Sequence, residues 1–400
     1  MKIPITRPSF DQDERAAILK PLETGWLVQG PCVQEFEQRV KAFTRASYAL
    51  ATSSCTTALH LALEALGVGA GDKVIVPSFT YIASANAVEY TGAQVVFCDI
   101  ALDTFNISPL ALRRMLAGDR DKEIKAVMPV NLFGLCASLP EIMEIARSHG
   151  AVVIEDSACG LGASIDGVHS GTFGAAGCFS FHPRKLITTG EGGMLISSEE
   201  SVARRASSLR DHGASKSDLD RHGEKGGSLL PEFNLRGYNY RMTDMQGALG
   251  VVQMGKLDRI LSCRREIARR YTEAFTPIPA LSPPSMPSGY QHSYQSYVCL
   301  FTDGEDLKTF TKEKIDALNI RRNKIMSALE EKGISTRQGT HAVHTLGYYK
   351  NKYALRDEDF LASYAADRLS IALPLYPSMT DEEFDYVVTH IKKAIPRCAV

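Results

Sequence analysis

Residues 178 to 194 read Cys-Phe-Ser-Phe-His-Pro-Arg-Lys-Leu-Ile-Thr-Thr-Gly-Glu-Gly-Gly-Met, and the rest of the chain is most economically read outward from them. Phe179, Ser180 and Phe181 alternate as a short strand does, and Pro183 ends that strand. Gly190, Gly192 and Gly193 permit turn geometries that residues with a Cβ resist. Lys185 therefore falls on a loop beside a sheet. Apolar neighbours desolvate an ammonium and lower its pKa, which makes available the neutral amine that Schiff-base chemistry needs. Taken alone, a lysine is more often a solvated surface residue.

The flanking sequence supplies the sheet. Valine/isoleucine strands are expected over Lys73 to Pro77 and Gln94 to Ile100, a buried strand starts at Ile124, and an apolar run from Ala151 ends in Glu155-Asp156. Helical patterns intervene at 55–66 and at Leu139 to Ser148. Strand, helix, strand at this spacing predicts parallel βαβ units, whose ligands sit beyond the carboxyl ends of the strands. Asp156 stands at such an end, and strand alternation points Glu155 the other way. Tyr81 follows another such end. In Ser54-Cys55-Thr56-Thr57-Ala58-Leu59, Ser54 is an N-cap, and a hydroxyl-rich helix start offers N–H groups that suit a phosphate. Ordinary capping, a core tyrosine and a helix-capping carboxylate are the plain alternatives for Ser54, Tyr81 and Asp156.

Taken together, these segments resemble the DegT/DnrJ/EryC1/StrS family of sugar aminotransferases, which use pyridoxal phosphate (PLP). The match spans most of the chain, through Phe-Ser-Phe-His, Lys185, Gly-Glu-Gly-Gly and, further on, Gly237-Tyr238-Asn239-Tyr240-Arg241-Met242. The resemblance implies an α/β fold of the aspartate aminotransferase-like type I. It has a large PLP-binding domain with a mixed, mostly parallel sheet between helices (residues 1–250) and a smaller α+β C-terminal domain (251–400). It implies that Lys185 carries the cofactor as an internal aldimine and that Asp156 pairs with the pyridine nitrogen. Tyr81 stacks on the ring. Ser54, Cys55, Thr56 and Ser180 lie at the phosphate end, and Asn239 reaches across a dimer interface to the neighbour's phosphate. Cys55 stands where the family has glycine. Cys159 stands where it usually has His, Gln or Glu beside the phenolic oxygen, and a thiol is the weaker donor there. Trp26, His182, Glu191 and His344 are the candidates on the substrate side.

The implied activity is transfer of an amino group from an amino acid, typically glutamate, to a nucleotide-linked keto-deoxysugar. The implied assembly is a homodimer with shared active sites. A deoxysugar dehydratase of the same family would carry histidine in place of Lys185; a non-catalytic sensing relative is the other alternative. A nucleotide-binding protein of another kind would need a GxGxxG or P-loop after a strand, and neither occurs.

Composition agrees with a small-molecule enzyme. In 400 residues, 45 Lys and Arg balance 46 Asp and Glu, so the electrostatic footprint of a nucleic-acid binder is absent. Nine cysteines without CxxC or zinc spacing predict reduced thiols, no metal and a cytoplasmic setting. No apolar run approaches the roughly 18 residues of a membrane span.

Helices are further expected over Asp11 to Leu22, Val33 to Phe43, 198–210, Thr243 to about Ala274, Arg321 to Lys332 and Asp381 to Ala394, with a strand from Tyr294 to Thr302. The aperiodic stretch Ala214 to Leu230 reads as a flexible loop near the sugar nucleotide.

Overall fold

The computed structural model describes residues 1–216, 231–306 and 309–397. The principal sheet has seven strands: β1 (Tyr48–Thr52), β2 (Lys73–Pro77), β3 (Gln94–Cys98), β4 (Ile124–Val127), β5 (Val152–Asp156), β6 (Ala176–Ser180) and β7 (Gly193–Ser197). Across the sheet they run β1-β7-β6-β5-β4-β2-β3. Neighbours from β3 to β6 are parallel, and β7 lies antiparallel to both β6 and β1. The mixed, mostly parallel sheet anticipated from the sequence is therefore present.

Helices α1 (Gln12–Thr24), α2 (Pro31–Thr44), α3 (Cys55–Ala65), α4 (Ala83–Tyr90), α5 (Pro109–Gly118), α6 (Leu139–His149), α7 (Glu200–Arg210), α8 (Asp244–Gly255) and α9 (Leu257–Phe275) surround it. Side-chain alternation explains why both faces are covered. Val74, Val76, Ala126, Ile154, Ala176 and Leu195 enter a core shared with α3, α4 and α7, whereas Ile75, Val127 and Val153 enter another shared with α5 and α6. Strands buried on both faces need near-continuous apolar sequence, which these have. On the β7 side, Ala51, Phe179, Met194 and Ile196 pack with Val33, Phe36 and Val40 of α2, and each of these side chains larger than alanine contributes roughly 1.5–3 kcal/mol when fully buried.

A second, antiparallel sheet of β8 (Leu281–Ser282), β9 (Tyr297–Phe301) and β10 (Ser370–Leu373) packs against α10 (Lys312–Glu331), α11 (Leu361–Leu369) and α12 (Asp381–Arg397). Ile3 from the chain's start joins this core. Helix α9 serves both: Leu257, Ile260 and Leu261 face the α2 side, and Ile267, Ala268, Tyr271 and Phe275 face the second sheet.

Three local expectations change. The helix predicted from Thr243 to about Ala274 starts on the Thr243/Gln246 capping box but divides at Lys256 (φ −102, ψ −2), which caps the end of α8 and the start of α9. Its ammonium reaches Asp11 (2.7 Å) and Glu14 (2.8 Å) of the capping box of α1. The strand expected from Tyr294 starts at Tyr297, because Tyr294 has φ 48 and cannot continue an extended chain. Helix α10 begins at Lys312, not Arg321, with Thr311 accepting the Lys314 N–H; Ile315, Leu318, Arg322, Ile325 and Leu329 form its buried stripe.

Candidate active site

The carboxyl ends of β1, β2, β5 and β6 meet at one edge of the sheet, and the antiparallel β7 brings the glycine-rich turn back to it. Residues 182–192 form a pinched loop: Phe181 N–H donates to Gly192 O (2.9 Å), Thr189 N–H to Phe181 O (3.0 Å) and Lys185 N–H to His182 O (2.8 Å). Gly190 takes φ +84, which a side chain with a Cβ resists. Lys185 is held on this loop, partly buried, and its Nζ donates to Cys159 Sγ at 3.2 Å. Burial disfavours the ammonium, but Cys159, Cys55 and Asp156 favour it, and the balance leaves the Lys185 pKa above the ordinary lysine value. The lowered pKa expected from apolar neighbours is thus corrected: two sulfurs and a carboxyl group, not an apolar wall, face the amine.

Asp156 closes the other side of this space. It is 4 % exposed, accepts from Ser84 Oγ at 2.7 Å and from Ala158 N–H at 3.0 Å, and interacts electrostatically with Lys185. Burial pushes its carboxyl above the usual carboxylate range, while Ser84, Ala158 and Lys185 pull the other way. A cationic hydrogen-bond donor placed against it would hold it ionised. Glu155 points to the opposite face, as alternation required, where Gly171, Phe173, Gly174 and Asn131 donate to it. Ser84 was missed from sequence; it lies on the first turn of α4, three residues after Tyr81, in a Ser/Ala run whose only legible feature is helix propensity.

The start of α3 is positioned by close backbone approach. Ser54 caps α3: its Oγ accepts the Thr57 N–H at 3.2 Å, and Thr57 Oγ1 accepts the Ser54 N–H at 3.1 Å. Ser54 Oγ is therefore engaged within the helix start, leaving the first N–H groups, with half-buried Thr56, as the donors there. Gly193 pairs with Ser180 and lies directly against Ser54 O and Cys55 N, so that a Cβ at 193 would overlap them. Ser180 and the start of α3 are brought together in this way. Cys55 is buried, and burial, then Asp156, raises its thiol pKa well above the ordinary value.

Tyr81 is 61 % exposed at this edge, so it is no core tyrosine. Asn239 is exposed beside Asp211, with which it forms a bridge, while its neighbours Tyr238 and Tyr240 stack on each other (4.9 Å, 8°) and turn inward to His60. The bridge and the half-buried tyrosines on either side leave the Asn239 side chain exposed. Trp26 lies over Gly30 and donates its Nε1 to Val28 O (3.0 Å). His182 turns its Nδ1 back to the Arg184 N–H (3.2 Å), and Glu191 is exposed with its carbonyl taking Thr189 Oγ1 and Gln246 Nε2.

His344 departs from expectation. It is fully buried, stacked on Phe360 and hydrogen-bonded through Nδ1 to Ser78 Oγ (2.6 Å), and burial lowers its pKa to about 4. In this chain the ring packs behind the Tyr81 loop. Of the loop expected at 214–230, residues 217–230 lie outside the described residues. Among the described residues no group of three or more His, Cys, Asp or Glu could hold a metal ion, and no helix is long and apolar enough to cross a membrane.

This donor set fits PLP: an amine for the aldehyde, a buried carboxylate for the ring nitrogen, a helix start for the phosphate and an exposed ring to stack. Comparison with known proteins agrees. The sequence is 35% identical over 393 residues to the spore coat polysaccharide biosynthesis protein SpsC of Bacillus subtilis (strain 168), covering 98% of this chain and 97% of that one. The putative sugar aminotransferase Spr1654 of Streptococcus pneumoniae, solved in a PLP form, superposes with a TM-score of 0.87 at 27% identity over 100% of both chains. DesV of S. venezuelae, solved with a ketimine intermediate, gives 0.84 at 25% identity over 98% of both chains. Aminotransferases of this kind use PLP. The model of the DegT/DnrJ/EryC1/StrS aminotransferase family matches residues 8–392, and the chain belongs to that family.

Proposed function

We propose that the protein is a PLP-dependent aminotransferase that moves an amino group from an amino acid, glutamate in the simplest case, to a nucleotide-linked keto-deoxysugar. The observation that carries this reading is the convergence of Lys185 and Asp156 at one sheet edge, close enough for each to bias the other's ionisation. The similarity to SpsC, named for polysaccharide biosynthesis, and to Spr1654, described as a putative sugar aminotransferase, supports a sugar as acceptor.

When bound, PLP supplies an electron sink for the carbanion formed at the substrate carbon. The chain's own residues do the rest. Asp156, ionised against the ring nitrogen, keeps that nitrogen protonated. Lys185 would hold the aldehyde end of the cofactor, and its amine, when free, would be the base that takes and returns the substrate proton. The α3 start and Ser180 hold the phosphate. Tyr81 covers the ring. Asn239 would reach the neighbouring subunit's phosphate, which would make a homodimer the working unit; a cytoplasmic setting belongs to the same proposal. A large cofactor-binding domain over 1–250 and a smaller one over 251–400 belong to the same proposal, as do Trp26, His182 and Glu191 on the sugar side.

The test is direct. Purified protein loaded with PLP is expected to show a visible band that glutamate bleaches, and to aminate one of a small panel of nucleotide-linked keto-sugars. Lys185→Ala is expected to lose the band, the turnover and borohydride-stable labelling. Wild-type turnover by that variant would overturn the proposal.

A further inference from the structure

Two thiols, Cys159 and Cys55, face the reactive lysine and a third, Cys178, lies beside Cys55; they differ in a way the proposed reaction does not use. Cys55 is 8 % and Cys178 0 % exposed, while Cys159 is only partly buried and accepts the Lys185 Nζ–H at 3.2 Å. None is in a disulfide. An oxidant entering this site meets one reachable sulfur, and the group in contact with that sulfur is a primary amine.

We propose that Cys159 and Lys185 form a reversible oxidative cross-link, a sulfenamide, that closes the site to its cofactor. The steps balance with hydrogen peroxide as oxidant. Cys159 sulfur attacks one peroxide oxygen, the O–O bond breaks, and the thiol becomes a sulfenic acid as one water leaves. Sulfur is oxidised by two electrons and peroxide is reduced. The Lys185 amine then attacks that sulfur, an S–N bond forms, the S–O bond breaks, and the departing hydroxide takes the amine proton as a second water. Sulfenic acids condense with thiols and with nitrogen nucleophiles; here the nitrogen is already in contact, on a stem whose rotatable bonds let it close the remaining distance. A dithiol reductant reverses the cross-link: one thiol attacks sulfur, breaking the S–N bond and returning the amine, and its second thiol closes on the resulting mixed disulfide and releases the Cys159 thiol.

Two features of the site direct the reaction to this pair. The competing thiols are buried, and burial raises the pKa of both Cys55 and Cys178 well above the ordinary value, which leaves them as poor nucleophiles. The amine must be neutral to attack, and because Lys185 is held protonated above the ordinary lysine range, cross-linking is expected to accelerate as pH rises. With the lysine nitrogen committed to PLP the second step has no nucleophile, so bound cofactor protects. That last consequence rests on the proposed function; the cross-link itself does not.

The experiment treats the cofactor-free full chain with hydrogen peroxide, blocks free thiols, and maps non-reduced peptides by mass spectrometry. The expected product is a single cross-linked species joining the peptides of Cys159 and Lys185, lighter than their sum by two hydrogens and lost on dithiothreitol treatment. Lys185→Arg is expected to lose the cross-link while a dimedone adduct still forms at Cys159; Cys159→Ser loses both. Prior loading with PLP is expected to reduce the cross-link at least tenfold. A disulfide between Cys159 and Cys55, or sulfinic acid at Cys159 with the Lys185 peptide unmodified, overturns the proposal. Protein that binds PLP at Lys185 but gives no cross-link leaves the aminotransferase reading standing and removes this one; a cross-link in protein that never binds PLP does the reverse.

Discussion

Gly193→Ala tests whether the backbone contact between β7 and the start of α3 positions the phosphate end of the site. A Cβ at this position would lie 2.5 Å from Cys55 N and nearer still to Ser54 O. Ordinary van der Waals contact needs nearly 1 Å more. Neither side can yield cheaply, since Gly193 is paired to Thr52 and Ser180 in the sheet and the atoms it meets are backbone of a capped helix turn. Overpacking of this kind costs about 1–3 kcal/mol in stability. The functional cost is expected to be larger in proportion, because a displacement of ~1 Å in a positioning element can cost about 10²-fold in rate. Gly190→Ala is the control: φ +84 strains an alanine by roughly 1–2 kcal/mol, yet nothing lies within 4 Å of its Cβ. Thermal unfolding of the two variants should therefore be comparably lowered, while PLP titration should show a much greater loss of affinity for Gly193→Ala. If both variants bind PLP equally well, Gly193 does not set the phosphate site and its close approach is only packing.

Asp156→Asn keeps the Ser84 contact in reach but removes the charge that would hold a ring proton; the expected outcome is PLP still labelled at Lys185 by borohydride with glutamate half-reaction rates reduced by orders of magnitude, and near-normal rates would refute the role. Because Lys185 is held protonated above its ordinary pKa of 10.5 by Cys159 and its neighbours, capture of PLP by the cofactor-free protein should quicken as pH rises, and Cys159→Ala should move that profile to lower pH. An unmoved profile would show that the sulfur does not hold the ammonium. His169, His344 and His292 are kept neutral by burial down to about 4, 4 and 3. Unfolded histidines take up protons below about 6.5, so folding stability should fall as pH drops from there toward 4. Each fully linked histidine contributes at most about 1.4 kcal/mol per pH unit. Denaturant titration from pH 7 to 4.5 measures the slope, and His344→Gln should flatten it; an identical slope would place the acid sensitivity elsewhere.

The parts of this site that could be read from sequence are those governed by local rules. Strand alternation separates Asp156 from Glu155, a capping pattern fixes Ser54 and Thr243, and an apolar run followed by glycines places Lys185 on a loop at the sheet edge. What escaped depends on residues far apart in the chain. Ser84 reaches Asp156 across 72 positions, and Asp244 accepts the Gly30 and Val33 N–H groups across more than 200, so no window of sequence contains either pair. His344 shows the same limit from the other side: the resemblance put it on the substrate side, and Ser78 and Phe360, against which it packs, come from separate elements. The lysine pKa went astray for a related reason. Hydrophobic neighbours in sequence, Leu186 and Ile187, turn into the core, and the groups that face the amine arrive from the turn after β5, from the end of β5 and from the start of α3. The charge state of Lys185 is therefore a tertiary property, set by which acidic groups the sheet edge gathers, although the identity of the residue is written locally.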